Sequence, residues 1–538
     1  MKIYGNLVDI HKRNIFKCCL DVDNGIIIRI ERCDHNSEVF IMPGLIDAHI
    51  HIESSMVTPG AFAAEAIKHG TVAVVSDPHE IANVCGIEGI DFMINDSRKV
   101  PLKFYFGAPS CVPATIFETS GGVINSEQVK QLLLRPEIYY LSEMMNFPGV
   151  ISNDIDVISK INSAKVVGKP VDGHAPGLSG GDLEKYINVG ISTDHECSTL
   201  AEAEEKISLG MKILIREGSA ARNLQNLKPL INIYPDMVML CSDDLHPEML
   251  ISGHINKLIK SLINEGFDIF NVLRSATINP VNHYNLNTGL LREGDPADFI
   301  IVDNLENLKV IETWIDGRKV FEEGKVLFNT DRNIIINKFN CSQIRKEDIS
   351  VVNKGKNFRV IQAFDGELFT REILASSVLS VTLEADINKD YLKIVVKDRY
   401  QDAPPQIGFI NGFKLQKGAF AGSVAHDSHN IICIGTNDND IVEAINAIVK
   451  MKGGLAVSCD NSVSTLKLNI GGIMTSDSCT ETAKIYNELN TFVKSLGCTL
   501  SAPFMTLAFM ALLVIPELKI GDKYLFDVKN FKPVSLFC

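Results

Sequence analysis

The segment Pro43-Gly44-Leu45-Ile46-Asp47-Ala48-His49-Ile50-His51 sets two histidines two residues apart, directly after the apolar run Val39–Met42. On an extended chain, residues i and i+2 point to the same side. One strand end therefore aims two imidazoles at one point, as a metal site requires. A bare His-x-His is a weak signal, and other residues must complete it. His174 ends the run Pro170–His174, and His195 ends Ile191–His195. Two carboxylates end other apolar runs, Glu143 after Leu141-Ser142 and Asp243 after Cys241-Ser242. Four histidines and two carboxylates at one rim can hold two divalent ions, since a carboxylate can bridge two ions and imidazole suits Zn, Mn or Fe.

For these residues to meet, their runs must be strands of one sheet. From Leu45 to about residue 289, short apolar runs alternate with helical stretches, which is the pattern of βα units. The runs are Ile46–His51, Thr71–Asp77, Lys103–Pro109, Ile138–Glu143, Pro170–His174, Ile191–His195, Met211–Arg216 and Met237–Asp243. Eight runs over ~250 residues predict an α/β fold, a TIM-like (β/α)₈ barrel whose functional groups sit at the C-terminal strand ends. Polar residues terminate strands in any fold, but that does not explain why histidines do so here. Before the barrel, Lys2–Ile10, Gly25–Glu31 and Val39–Met42 read as short strands, with a turn at Asp23-Asn24-Gly25. After it, Phe299–Val302, Val310–Asp316 and Gly317–Val320 do the same. The expected division is a small β-domain from residues 1–42 plus 290–335, a catalytic barrel over 43–289, and a C-terminal α+β domain over 336–538 that serves as a lid.

The 538-residue length calls for two to four domains. A net charge of −14 argues against a nucleic-acid or membrane-surface partner, because phosphate binding needs a basic footprint. Thirteen cysteines without a Cys-x-x-Cys pair suit reduced thiols in the cytoplasm. No signal peptide is expected at Met1–Gly5. The greasiest segment, Phe504–Ile515, is too short to span a bilayer and reads as a buried helix.

The order His-x-His, Glu, His, His, Asp on strands 1, 4, 5, 6 and 8 resembles the amidohydrolase superfamily of metal-dependent hydrolases. The resemblance implies that His49, His51 and Asp243 bind one ion, that His174 and His195 bind a second, and that a strand-4 group bridges them. That group is often a carboxylated lysine. Here it is Glu143, which is similar to the adenine deaminase branch. Ile50-His51-Ile52-Glu53-Ser54-Ser55-Met56, Ser76-Asp77-Pro78-His79-Glu80 and Ile215–Asn223 are similar to that branch too, as are Ser423–Asn430 and Gly471–Met474. The resemblance spans essentially the whole chain. It implies two divalent ions per chain, Mn²⁺ first with Fe²⁺ or Zn²⁺ as alternatives, and a small-molecule substrate, adenine. A homodimer and a cytoplasmic role in purine salvage are expected.

The chemistry so implied is hydrolytic deamination of adenine to hypoxanthine and ammonia. A hydroxide bridging two cations is nucleophilic near neutral pH and attacks the electron-poor C6. Asp243 takes the water's proton and passes it on, with Glu143 as its catalytic companion. Asp244 is expected to bond a ring nitrogen, or to act as a helix cap. Glu53, Glu80, Arg216, Glu217, Ser219 and Asn223 are further candidates for substrate contact, although a structural salt bridge accounts for Arg216 and Glu217 as well. Asp77 and His79 complete a polar wall, hold an accessory ion, or form a rim network. His426, Asp427 and His429 are spaced for an accessory metal or a lid contact, with a surface loop as the alternative. His11, His35, His69, His254 and His283 read as structural.

Competing motifs fail. Gly177-Leu178-Ser179-Gly180-Gly181 fits Gly-x-Ser-x-Gly but lacks the strand-turn-helix context of a nucleophile elbow. His51-Ile52-Glu53 fits the His-x-Glu of zinc nucleobase deaminases, yet no Pro-Cys-x-x-Cys follows. A dihydroorotase- or hydantoinase-like cyclic-amide hydrolase remains as the alternative within the superfamily, and its members usually carry Lys on strand 4. A non-catalytic metal-binding scaffold is the third possibility, against which the complete ligand set argues.

Overall fold

The computed structural model describes residues 1–330, 334–376 and 380–538. Eight strands occupy the eight expected runs: β5 (Leu45–Ile50), β6 (Thr71–Ser76), β7 (Lys103–Ala108), β8 (Ile138–Met144), β9 (Val171–Gly173), β10 (Thr193–Asp194), β11 (Lys212–Arg216) and β12 (Val238–Cys241). All neighbouring pairs are parallel. A Val171–Ile191 bridge joins β9 to β10, and an Ile50–Asp243 bridge closes β12 onto β5. The result is a closed (β/α)₈ barrel with both faces of its strands buried, as parallel sheets require. β9 and β10 are only three and two residues long, because their histidines already belong to the loops beyond the sheet.

Local signals explain the helices between the strands. Asp154 and Thr199 cap two of them, accepting from the amides of Val157 and Glu202. The helix Ile255–Asn264 buries Ile255, Leu258, Ile259 and Leu262, a stripe at i, i+3, i+4 and i+7. At the barrel entrance, a Cβ on Gly44 would come within 2.3 Å of Val72, so no larger residue fits there.

One eight-stranded sheet takes four strands from before the barrel and four from after it. The leading strands are β1 (Lys2–Asp9), β2 (Asn14–Asp23), β3 (Ile26–Arg32) and β4 (Phe40–Pro43). The trailing strands are β13 (Phe299–Val302), β14 (Val310–Ile315), β15 (Arg318–Glu322) and β16 (Lys325–Val326). The seam is antiparallel, Phe299 opposite Pro43 and Val302 opposite Phe40. Strand β2 is absent from the sequence expectation. Its adjacent Cys18, Cys19 and Leu20 are all buried, which breaks the alternation that betrays a strand.

A second eight-stranded sheet lies C-terminal to the barrel. In chain order its strands are β17 (Asn357–Gln362), β18 (Arg371–Ser376), β19 (Leu392–Lys397), β20 (Gln406–Asn411), β21 (Ala419–Gly422), β22 (Ile431–Gly435), β23 (Gly454–Cys459) and β24 (Ser462–Lys467). The helix Asp438–Met451 covers it through Ile441, Ala444, Ile445 and Ile448. A three-stranded sheet ends the chain: β25 (Leu518–Ile520), β26 (Leu525–Asp527) and β27 (Lys532–Val534). The greasy segment is a buried helix, Pro503–Ala508, followed by a 3₁₀ turn, Phe509–Ala511. Among the described residues no helix is long and apolar enough to cross a membrane.

Candidate metal centre

His49 and His51 leave the end of β5 on the same side as Asp47, which forms the floor beneath them. The Asp47 carboxylate accepts from the amides of His49 (3.2 Å) and Ser242 (3.1 Å) and from the Ser242 hydroxyl. It also faces His254 Nε2 at 2.8 Å. These bonds fix strand 1 against strand 8, where Asp243 stands. Asp243 has a φ of 56°, a left-handed conformation that costs an Asp about 1 kcal/mol. Its amide donates to the His49 carbonyl (2.9 Å), and its carbonyl accepts from the His51 amide (3.3 Å). The strain is thus held by the strand that carries the two histidines.

Glu143 sits at the centre. Its Oε2 lies 2.8 Å from His174 Nδ1 and 3.2 Å from His195 Nε2. Its Oε1 lies 3.3 Å from His51 Nε2 and 3.5 Å from His79 Nδ1. Asp243 Oδ1 lies 3.3 Å from His51 Nε2 and 3.6 Å from His49 Nε2, while Oδ2 accepts from Arg216 at 2.6 Å. All of these groups are buried. Burial alone pushes carboxylates up and imidazoles down. Here pairing reverses both: Glu143 and Asp243 fall well below the usual carboxylate range, and His51 and His195 rise well above the imidazole range.

The arrangement fits a divalent cation. Neither ring nitrogen of the buried His49 has a hydrogen-bond partner, an expensive state unless a ligand fills it. His49, His195 and Asp243 offer donor atoms within 4.8 Å of one another, as do Glu143, His174 and His195. Supporting residues hold these ligands in place. The His174 amide donates to the Tyr186 hydroxyl (2.9 Å), which donates to the Met144 carbonyl. Behind His174 and His195, the buried Lys206 ammonium binds Asp194 (2.9 Å) and the Ala175 carbonyl (2.8 Å).

The remaining candidates divide by position. Asp77 and His79 join the cluster: His79 Nδ1 lies 3.1 Å from Asp77, and His51 Nδ1 lies 3.1 Å from the Asp77 carbonyl. Glu80, in the helix His79–Cys85, is gripped by two residues of the C-terminal region, with Oε1 2.6 Å from His426 Nδ1 and Oε2 2.6 Å from His429 Nε2. Asp427 lies 3.9 Å from His79. Asp244 accepts from the Ser54 hydroxyl at 2.5 Å. Glu53 accepts from the Ile81 amide, and burial together with the Glu80 charge pushes its carboxyl up to about 7. Arg216 lines the cavity. Glu217 and Ser219 do not: Glu217 faces Arg222 at 3.8 Å, and the Ser219 hydroxyl accepts from the His246 amide. Ser179 is exposed at the start of the helix Gly180–Asn188, away from the site.

Several further residues form the cavity wall without a clear mark in the sequence. Glu196 receives two hydrogen bonds from Arg216 (2.5 and 3.0 Å) and lies within 3.5 Å of His174 and His195. Its place one residue after His195 was the only available signal. Leu368, Phe509, Leu512 and Ile515 supply an apolar roof from far along the chain. With the roof in this position, the cavity over the ligand cluster is about 30 Å³.

Residues 40–320 match the amidohydrolase family, and residues 367–532 match the adenine deaminase C-terminal domain. The adenine deaminase of Methanosarcina mazei is 55% identical over 100% of this chain and 99% of its own length. That of Salinibacter ruber is 47% identical, covering 99% of this chain and 98% of its own. Among solved structures, a beta-aspartyl dipeptidase from Fervidobacterium islandicum is 16% identical with a TM-score of 0.47, covering 61% of this chain and 98% of that one. The donor set and the family together mark a divalent metal site. The chain belongs to the amidohydrolase family, in its adenine deaminase branch.

Proposed function

We propose that this chain is an adenine deaminase, which hydrolyses the C6–N bond of adenine to give hypoxanthine and ammonia. Relatives of that name match it end to end. The observation in the site that carries the reading is the split of Glu143, one oxygen toward His51 and the other toward His174 and His195. This supports two ions, one held by His49, His51 and Asp243 and one by His174 and His195, with Glu143 between them. Oxygen and imidazole ligands without thiolate suit Mn²⁺, with Fe²⁺ or Zn²⁺ as alternatives. Bound divalent ions supply an acidified water that is a nucleophile at neutral pH.

The chain's own residues do the rest. Asp243 Oδ1 accepts the proton of the attacking water and returns it to the leaving amine. Burial pushes the Asp243 carboxyl up, but Arg216, which donates to Oδ2, and the facing His49, His51 and His195 together keep it ionised. Asp244 is raised by burial and by the neighbouring Asp243 charge, which suits it to donate to a ring nitrogen. The apolar roof takes the flat face of the base and excludes bulk water. Thirteen unpaired cysteines support a reducing, cytoplasmic setting.

The cyclic-amide alternative is not favoured, since strand 4 carries Glu143 and the relatives are adenine deaminases along their whole length. The test is to incubate Mn²⁺-loaded protein with adenine and, separately, with dihydroorotate and hydantoin. Hypoxanthine and ammonia in equal amounts from adenine alone are expected. Turnover of a cyclic amide without hypoxanthine would overturn the proposal.

A further inference from the structure

Lys519, on β25, is completely buried, and among the described residues no carboxylate pairs with it. Its ammonium donates instead to two backbone carbonyls, those of Leu368 (2.7 Å) and Phe509 (2.9 Å). Both residues belong to the apolar roof. They come from segments about 140 residues apart: the loop between β17 and β18, and the 3₁₀ turn Phe509–Ala511. Phe509 also stacks on His426, with ring centroids 4.3 Å apart and planes at 18°. At the surface the loop is also tied by Asp365, which accepts from the Ser501 amide (2.8 Å) and hydroxyl (2.7 Å). Its sequence neighbours Asp365, Gly366 and Glu367 are exposed, and Phe369 is 39% exposed. A second seam, Thr370 to Leu518 and Pro516, lies just beyond it.

We propose that Lys519 is the positioning residue of the substrate-facing roof, pinning Leu368 and Phe509 at the spacing that receives a flat heteroaromatic base. The inference rests on the adenine deaminase reading and deepens it. A buried lysine without a counter-charge is costly, and a leucine or methionine would fill the space more cheaply unless the donors are needed. Burial pulls the amine down to about 7. Even the neutral amine keeps two N–H groups, one for each carbonyl. The roof contacts bound base before and during the reaction alike, so loosening it weakens ground state and transition state together. Such a loss raises KM and leaves kcat in place.

The experiment uses full-length, Mn²⁺-loaded enzyme and compares Lys519→Met, Lys519→Arg and a matched control, Lys393→Met. Lys393 is an equally buried lysine of the C-terminal region, bound to the Ile349 carbonyl, Glu384 and Asp438, and it does not line the cavity. Lys519→Met is expected to raise the KM for adenine about tenfold, with kcat within about threefold and metal content unchanged. Lys519→Arg, which keeps the donors, restores most of that loss. Lys393→Met lowers the melting temperature without moving KM. Because the proposed deamination remains measurable in every variant, failure of the roof assignment is separable from failure of the function. An unchanged KM in Lys519→Met overturns the assignment. An equal rise in both Met variants overturns it as well, since general loosening would then explain it.

Discussion

Glu143 presents each of its oxygens to different imidazoles, which sets it between the two halves of the proposed ligand set. Replacing it by Gln keeps the volume but removes the charge that draws cations together. Glu143→Gln is expected to lower bound metal from two ions per chain toward one and to reduce kcat by about a hundredfold or more. Metal analysis of purified variant and parent checks this, and two ions retained at full activity would refute the bridging role. At this scale the cluster proposed to hold the ions was legible because each of its members ends an apolar run, a position visible without coordinates. Asp243 shows what was not legible. Its left-handed backbone and its bond to Arg216 depend on β5 and β11 lying beside it. Glu196 was missed for the same reason: its partner Arg216 lies 20 residues away on the next strand. The segment at the end of strand 7 suggested four contacts, Arg216, Glu217, Ser219 and Asn223, and of these only Arg216 lines the cavity.

The helix after strand 2 is tied to the C-terminal region by a single carboxylate held between two imidazoles. Burial lowers His426, but Glu80, with the nearby Asp244 and Asp427 charges, outweighs it and raises His426 to about 9. His429 is lowered, by burial first, so one cation serves the pair. The sign of the pH effect follows from linkage. A raised histidine stabilises fully below its unfolded value of 6.5 and loses that contribution as pH rises through about 9. The depressed Glu80 contributes above its unfolded value of 4.5 and loses that contribution as pH falls through its lower folded value. Glu80→Gln should therefore cost about 3 kcal/mol between pH 4.5 and 6.5, and the penalty should shrink above about 9. Denaturant melts of both proteins across that range test this, and a penalty independent of pH would contradict it. The His426-x-x-His429 spacing suggested either a metal or a lid contact. Its actual partner is Glu80, 346 residues before His426. Elements themselves were more legible than such pairs. All eight barrel strands follow from apolar runs, whereas β2 escaped because its buried pair Cys18-Cys19 breaks alternation.

The whole molecule builds one cavity from two distant parts of the chain. The barrel brings the charged ligands and Arg216. The region beyond residue 336 brings the apolar roof, His426 and Asp427. That division suits a reaction needing ions and a proton carrier below and a dry, flat surface above. The chain's overall order, with short strands, βα units, short strands and a further α+β region, could be read from periodicity. The closing of the roof could not, because Lys519 joins Leu368 and Phe509 across about 140 residues of chain. The most direct test is to titrate metal-free protein with Mn²⁺ while following adenine loss and hypoxanthine formation. Activity is predicted to be absent without metal and to rise to a plateau at two equivalents per chain. A plateau at one equivalent, or no hypoxanthine at any metal level, would contradict it.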